Sequence, residues 1–144
     1  MAHSLKDLSD KMQDIDFCML STREAAGSIS CRPMSNNGDV EYDGDSWFFS
    51  YDNTRKVRAI EHQPEVALSF TGSPSLLGSP GIFITIEGRA SIIRDKAEFE
   101  KHWVKDLDMW FPQGIDTPGM VLLKVRAEHI EYWDGDENHT VSAR

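Results

Sequence analysis

The chain has 144 residues, of which 40% are hydrophobic and 27% charged, and a formal net charge of −9. That size fits one globular domain, residues 1–144, able to bury a core. The negative charge disfavours general attraction to nucleic acid or anionic membrane, and no apolar run reaches the roughly 18 residues a membrane helix needs. Any phosphate group bound by such a chain must be captured locally, by a few basic side chains placed together. The N-terminal segment mixes charges with hydrophobics and has no signal-peptide stretch, so the expected location is cytoplasmic. Cys18 and Cys31 are too few for a disulfide framework and lack C-x-x-C spacing, and they read as small apolar strand residues.

Ser4 and Asp7 have the spacing of a helix start, after which Leu5, Leu8, Met12 and Ile15 fall on one helical face. The period then changes to two. Strands are predicted over 17–22, 28–34 and 46–51, separated by the turn-rich segments Asn36-Asn37-Gly38-Asp39 and Asp43-Gly44-Asp45. A helix is predicted over 54–63, ending before Pro64, because proline disfavours helix in the residue ahead of it. Further strands are predicted over 65–71 and 82–93, with a bulge or bend at Gly88. Asp95 and Glu98 mark another helix start, and Phe99, Trp103 and Leu107 continue its apolar stripe to about Trp110. Pro112, Gly114, Pro118 and Gly119 force a loop, and strands over 120–127 and 129–133 complete the set. Six to seven mostly antiparallel strands with short flanking helices predict a mainly β fold, a closed or partly closed barrel of Greek-key-like kind.

The stretch Trp47-Phe48-Phe49-Ser50-Tyr51-Asp52-Asn53-Thr54-Arg55-Lys56 runs from an aromatic strand through a polar turn into a helix. A helix start has unpaired N–H donors and a dipole that favours an anion. Arginine adds a planar fork for phosphate oxygens and lysine a compact charge. The same pattern also fits an N-cap threonine followed by two solvated basic residues. On the strand before it, Arg32 can donate to a ligand carbonyl or phosphate or stand as a surface charge. Pro33 cannot donate to a strand ladder, and Met34 offers either a soft contact to a flat ring or a core side chain.

Together these residues resemble the FMN-binding split barrels of the bacterial general stress protein family, related to pyridoxamine 5′-phosphate oxidase. The run from Phe48 to Lys56 is similar to the oxidase pattern of an aromatic strand followed by Thr and Ser-Arg-Lys. Arg32-Pro33-Met34 and Trp110-Phe111-Pro112-Gln113-Gly114 resemble the general stress protein branch. Ile84-Thr85-Ile86-Glu87-Gly88-Arg89-Ala90 is similar to its central strand, and Glu131-Tyr132-Trp133 to its closing strand. The resemblance covers nearly the whole chain. It implies a split β-barrel homodimer with FMN, or FAD in its place, in clefts between subunits. Arg55 and Lys56 would hold the phosphate with help from Thr54. Arg32, Pro33 and Met34 would line the ring system, and Phe49, Ser50 and Tyr51 would flank the ring or the ribityl chain. Trp110 would come from the partner subunit, either over the flavin ring or as an anchor in the interface.

The chain also departs from the oxidases. Ser35-Asn36-Asn37 stands where they place a lysine, Phe83 or a neighbour stands where they carry a glutamine, and no C-terminal Trp and Arg pair for the vitamin phosphate is recognisable. The expectation is an FMN-dependent oxidoreductase or flavin reductase-like protein, using NADH or NADPH and lacking vitamin oxidase activity; the alternative is a stress-response protein that senses or buffers FMN without turnover. A barrel binding single-stranded nucleic acid through Trp47, Phe49 and Tyr51 is disfavoured by the net charge. His3, His62, His102, His129 and His139 lack zinc-site spacing. Asp134-Gly135-Asp136-Glu137-Asn138 reads as a solvated tail rather than a calcium loop, and neither G-x-S-x-G nor G-x-G-x-x-G occurs.

Overall fold

The computed structural model describes residues 2–36 and 40–143. Asn37, Gly38 and Asp39, at the centre of one predicted turn, lie outside the described residues. In chain order the elements are α1 (Leu5–Met12), β1 (Phe17–Arg23), β2 (Ile29–Ser35), β3 (Asp45–Tyr51), α2 (Arg55–His62), β4 (Glu65–Thr71), β5 (Phe83–Ile93), α3 (Lys96–His102), two 3-10 turns (Lys105–Met109 and Gly114–Asp116), β6 (Met120–Asp134) and β7 (Glu137–Val141). The strands form one antiparallel sheet in the order β2-β1-β4-β5-β6-β3, with β7 beside the second half of β6. The sheet curls around a core without closing, and β2 and β3 are its two ends. This is a split barrel.

Alternation builds the core. Cys18, Leu20 and Thr22 of β1, Val66, Leu68 and Phe70 of β4, and Ile84 and Ile86 of β5 all point inward and are buried. The chain enters through α1, where Ser4 accepts from the Asp7 amide at 3.1 Å and Asp7 accepts from the Ser4 amide at 2.9 Å. This reciprocal cap satisfies two otherwise unpaired donors. Asn36 ties the same helix down by donating to the carbonyls of Met12 and Ile15, both at 2.8 Å.

The two strands predicted over 120–127 and 129–133 are one strand with a bulge. Val121, Leu123, Val125 and Ala127 face the core, then Ile130 and Tyr132 do, so the inward parity flips between them. Glu87 pairs with His129 and Gly88 with Ala127, which leaves Glu128 as the extra residue. The glycine is needed there because a Cβ on Gly88 would sit 2.2 Å from the Arg126 carbonyl oxygen. The bulge also lets one strand serve two neighbours, β3 along its first half and β7 along its second.

Two more expectations are corrected. The helix predicted from Asp95 to about Trp110 ends at His102, with Trp103 and Val104 extended. The break turns Asp106 and Asp108 from residues near a helix C-terminus, where acid is disfavoured, into first-turn residues of a 3-10 segment. The Trp103 indole donates to Asp108 at 3.1 Å and seals the corner. The predicted tail is β7: Gly135, at φ +61, turns the chain between Asp134 and Glu137 into a tight hairpin.

Candidate functional site

Arg32, Ser30 and Met34 alternate on the inward face of β2, opposite Leu20, Thr22 and Cys18 of β1. A guanidinium beside an apolar core needs its donors satisfied. Arg32 Nη1 donates to Thr22 Oγ1 at 2.8 Å and to the Leu20 carbonyl at 3.2 Å, and Nη2 donates to Ser30 Oγ at 2.9 Å. Ser30 passes the chain on, donating to Glu24 Oε1 at 2.6 Å. The same carboxylate oxygen accepts from Arg55 Nε at 2.7 Å. The Ser30 hydroxyl, and then the charges of Arg55 and Arg32, hold the Glu24 carboxyl below the usual carboxylate range.

Arg55 and Lys56 are the first two residues of α2, which the burial of Val57, Ala59 and Ile60 fixes against the barrel. Thr54 occupies the N-cap position, but its hydroxyl donates to the Tyr51 carbonyl at 2.8 Å and caps nothing. The first turn also contains no acid, so its donors and dipole have no side-chain counterpart. Lys56 is half-buried, and burial followed by repulsion from Arg32 lowers its pKa below the ordinary lysine value. Among the described residues its ammonium makes no ion pair or hydrogen bond. Two arginines therefore meet one carboxylate, and Lys56 stands near enough to Arg32 to feel its charge, an arrangement suited to holding an anion with two negative charges.

The remaining predicted residues lie elsewhere. Met34 is buried in the main core, and Pro33 lies on the outer face opposite Met19. Ser50 is buried on the inward side of β3. Phe49 and Tyr51 point to the other side, where Phe49 meets Trp103 edge-on at 5.1 Å and Tyr51 meets Phe111 at 5.2 Å. That side forms a second, smaller core of Phe99, Phe111, Met120 and Leu122 beneath α3. Trp110 is 54% exposed on the loop that follows. Arg32, Arg55 and Lys56 are thus brought together, while Phe49 and Tyr51 lie on the side of the smaller core and Trp110 at the surface.

Glu24 is the member that the sequence reading missed. It sits in the polar β1–β2 turn, where its amide donates to the Ser28 carbonyl and its carbonyl accepts from the Gly27 amide, both at 2.8 Å. Its one sequence signal is strand register, since a tight turn over 25–27 carries Glu24 back beside the start of β2.

The outer face of the sheet carries exposed apolar side chains among polar ones such as Ser69, Thr71 and Glu87. Phe17 and Met19 of β1, Ile29 of β2, Phe83 of β5 and Trp133 of β6 all stand on it and are exposed. Among the described residues no group of three His, Cys, Asp or Glu side chains is placed to hold a metal, and no helix is long and apolar enough to cross a membrane.

A split antiparallel barrel with a basic cluster between its first hairpin and the start of α2 defines the class of protein. The chain belongs to the Pyridoxamine 5′-phosphate oxidase like family, whose description matches residues 3–143. Among solved structures it is similar to a protein from Clostridium acetobutylicum related to general stress protein 26 of B. subtilis, of the pyridoxinephosphate oxidase family. The two are 21% identical, with a TM-score of 0.76 over 94% of this chain and 92% of that one. General stress protein 26 from Bacillus anthracis str. Sterne is 24% identical, with a TM-score of 0.68 over 90% and 92% of the two chains. A heme binding protein from Mycobacterium smegmatis shares the fold at 12% identity, with a TM-score of 0.77 over 99% of this chain and 59% of that one. No curated protein matches the chain.

Proposed function

We propose that the protein binds FMN and serves as a flavin-dependent oxidoreductase without pyridoxamine phosphate oxidase activity. One observation carries the reading: Lys56 is a half-buried cation without a partner among the described residues, beside Arg32 and next in sequence to Arg55. A phosphate monoester supplies the charge that this cluster lacks. Membership of the family supports a flavin as the group attached to that phosphate. Arg55 and Lys56 would hold the phosphate, with the first amides of α2 beside them, and Arg32 would add its charge from the barrel side. Bound flavin would supply the hydride and electron transfer, while the chain binds, orients and shields it.

The exposed apolar side chains of the outer face, Phe17, Met19, Phe83 and Trp133 among them, support the second part of the proposal, a homodimer that covers them and completes the flavin cleft with Trp110 from the partner subunit. Patches of this kind mark association surfaces. Analytical ultracentrifugation that finds a monomer at micromolar concentration would refute the dimer.

A visible absorption spectrum of the purified protein, followed by titration with FMN, tests the cofactor. Two flavin bands, or saturable quenching of FMN fluorescence at one per subunit, are expected. A single intense haem-type band, or indifference to FMN, FAD and riboflavin, would refute the reading. Anaerobic addition of NADH or NADPH then separates enzyme from flavin-buffering protein. Bleaching of the bound flavin is the expected outcome, and its absence with both donors would favour the non-catalytic role.

A further inference from the structure

We propose that Glu24 is a positioning residue of the phosphate site, fixing the Arg55 guanidinium through Nε so that its two terminal nitrogens are presented to the ligand. The inference rests on the phosphate site proposed above and adds a residue to it. The Arg55 side chain is 67% exposed, and its contact with Glu24 Oε1 is the one polar tie it makes among the described residues. An exposed arginine samples many rotamers and loses that freedom when it grips an anion.

Glu24 removes much of that loss in advance because it is itself held. Its side chain is 18% exposed, the β1–β2 turn fixes its backbone, and Ser30 donates to the same oxygen that receives Arg55. Monodentate contact at Nε leaves the η-nitrogens unengaged, which is the geometry a phosphate requires. The hydrogen-bond chain Arg32–Ser30–Glu24–Arg55 also joins the two arginines into one unit. Against this, the carboxylate repels an incoming phosphate. Glu24→Gln separates the two effects, because its amide oxygen still accepts from Ser30 and Arg55 but carries no charge.

The test is a titration of wild type, Glu24→Ala and Glu24→Gln with FMN and with riboflavin, which lacks the phosphate. Wild type should prefer FMN. Glu24→Ala should lose about three- to tenfold in FMN affinity, the scale of immobilising one long side chain, with riboflavin affinity unchanged. Glu24→Gln should bind FMN at least as tightly as wild type. If Glu24→Ala binds FMN as tightly as wild type or more tightly, Glu24 is a competitor or a bystander and the proposal is overturned. Parallel loss of both ligands would show a merely structural role and overturn it too. A wild type that shows no preference for FMN would instead overturn the phosphate site itself, and the role of Glu24 with it.

Discussion

Replacing Arg55 and Lys56 by alanine isolates the phosphate contribution, because both side chains lie at the start of α2, outside the main core. A charge-assisted hydrogen bond contributes about 1.5–3 kcal/mol, and each 1.4 kcal/mol is about tenfold in affinity. Lys56 belongs in the upper part of that range, since it is half-buried and weakly screened, so Lys56→Ala should weaken FMN by roughly 30- to 150-fold. Arg55 is largely exposed and shares its charge with Glu24, which puts Arg55→Ala near about tenfold. The double variant should then lose on the order of 10²–10³, with some departure from additivity expected of neighbours. Riboflavin should bind the double variant within about twofold of wild type, because it has no phosphate to lose. Quenching of flavin fluorescence measures both ligands on the same protein, and a thermal melt checks that the barrel is intact. Equal losses for FMN and riboflavin would refute the placement of the phosphate.

Four further outcomes follow from the structure and the proposed site. Because burial and Arg32 depress the Lys56 pKa below 10.5, FMN affinity should fall as pH rises through that lowered value, while riboflavin affinity stays flat and Lys56→Arg retains FMN at the higher pH. The sign is opposite for folding: the buried ammonium costs stability when charged, so the ligand-free protein should gain stability across the same alkaline window, as denaturant titration can measure. Gly88→Ala forces a Cβ against the Arg126 carbonyl and should destabilise by about 3 kcal/mol, a fall in Tm on the order of 10 °C by calorimetry. Trp110→Ala should raise the fluorescence of bound flavin if the indole covers the ring, and an unchanged yield would remove Trp110 from the site.

The strands were legible because most bury one face. Phe17 to Arg23 and Glu65 to Thr71 alternate cleanly, and the segment boundaries follow from that alternation. The first half of β6 is buried on both faces, Met120 and Leu122 beneath α3 and Val121 and Leu123 in the barrel, so periodicity alone could not reveal its length or its bulge. In β7 the sequence Glu-Asn-His-Thr-Val carries little apolar signal. It becomes a strand because Gly135 turns it back onto β6, where Asn138 donates to Glu131 at 2.9 Å and to the Tyr132 carbonyl at 3.1 Å. The helix beyond His102 was misread for a related reason. Phe99, Trp103, Leu107 and Phe111 do share one small core, but they reach it from a broken chain rather than a single helix face.

The candidate site divides along the same line. Arg55 and Lys56 were legible from their position after a polar turn, because a helix start and two adjacent cations form a local pattern. Glu24 was not, because its role is made by strand register and by a serine two residues before Arg32. That register also changes what the cluster can do. Arg32, Arg55 and Lys56 alone would present three positive charges to any anion. With Glu24 on Nε of Arg55, the surplus falls to two and one guanidinium is held at a defined angle, so that its terminal nitrogens meet a phosphate presented from one direction. Inorganic sulfate and FMN compete for such a site on unequal terms, because only FMN adds ring contacts to the phosphate. FMN affinity should therefore fall with added sulfate in wild type, and the fall should be absent once Arg55 and Lys56 are both alanine.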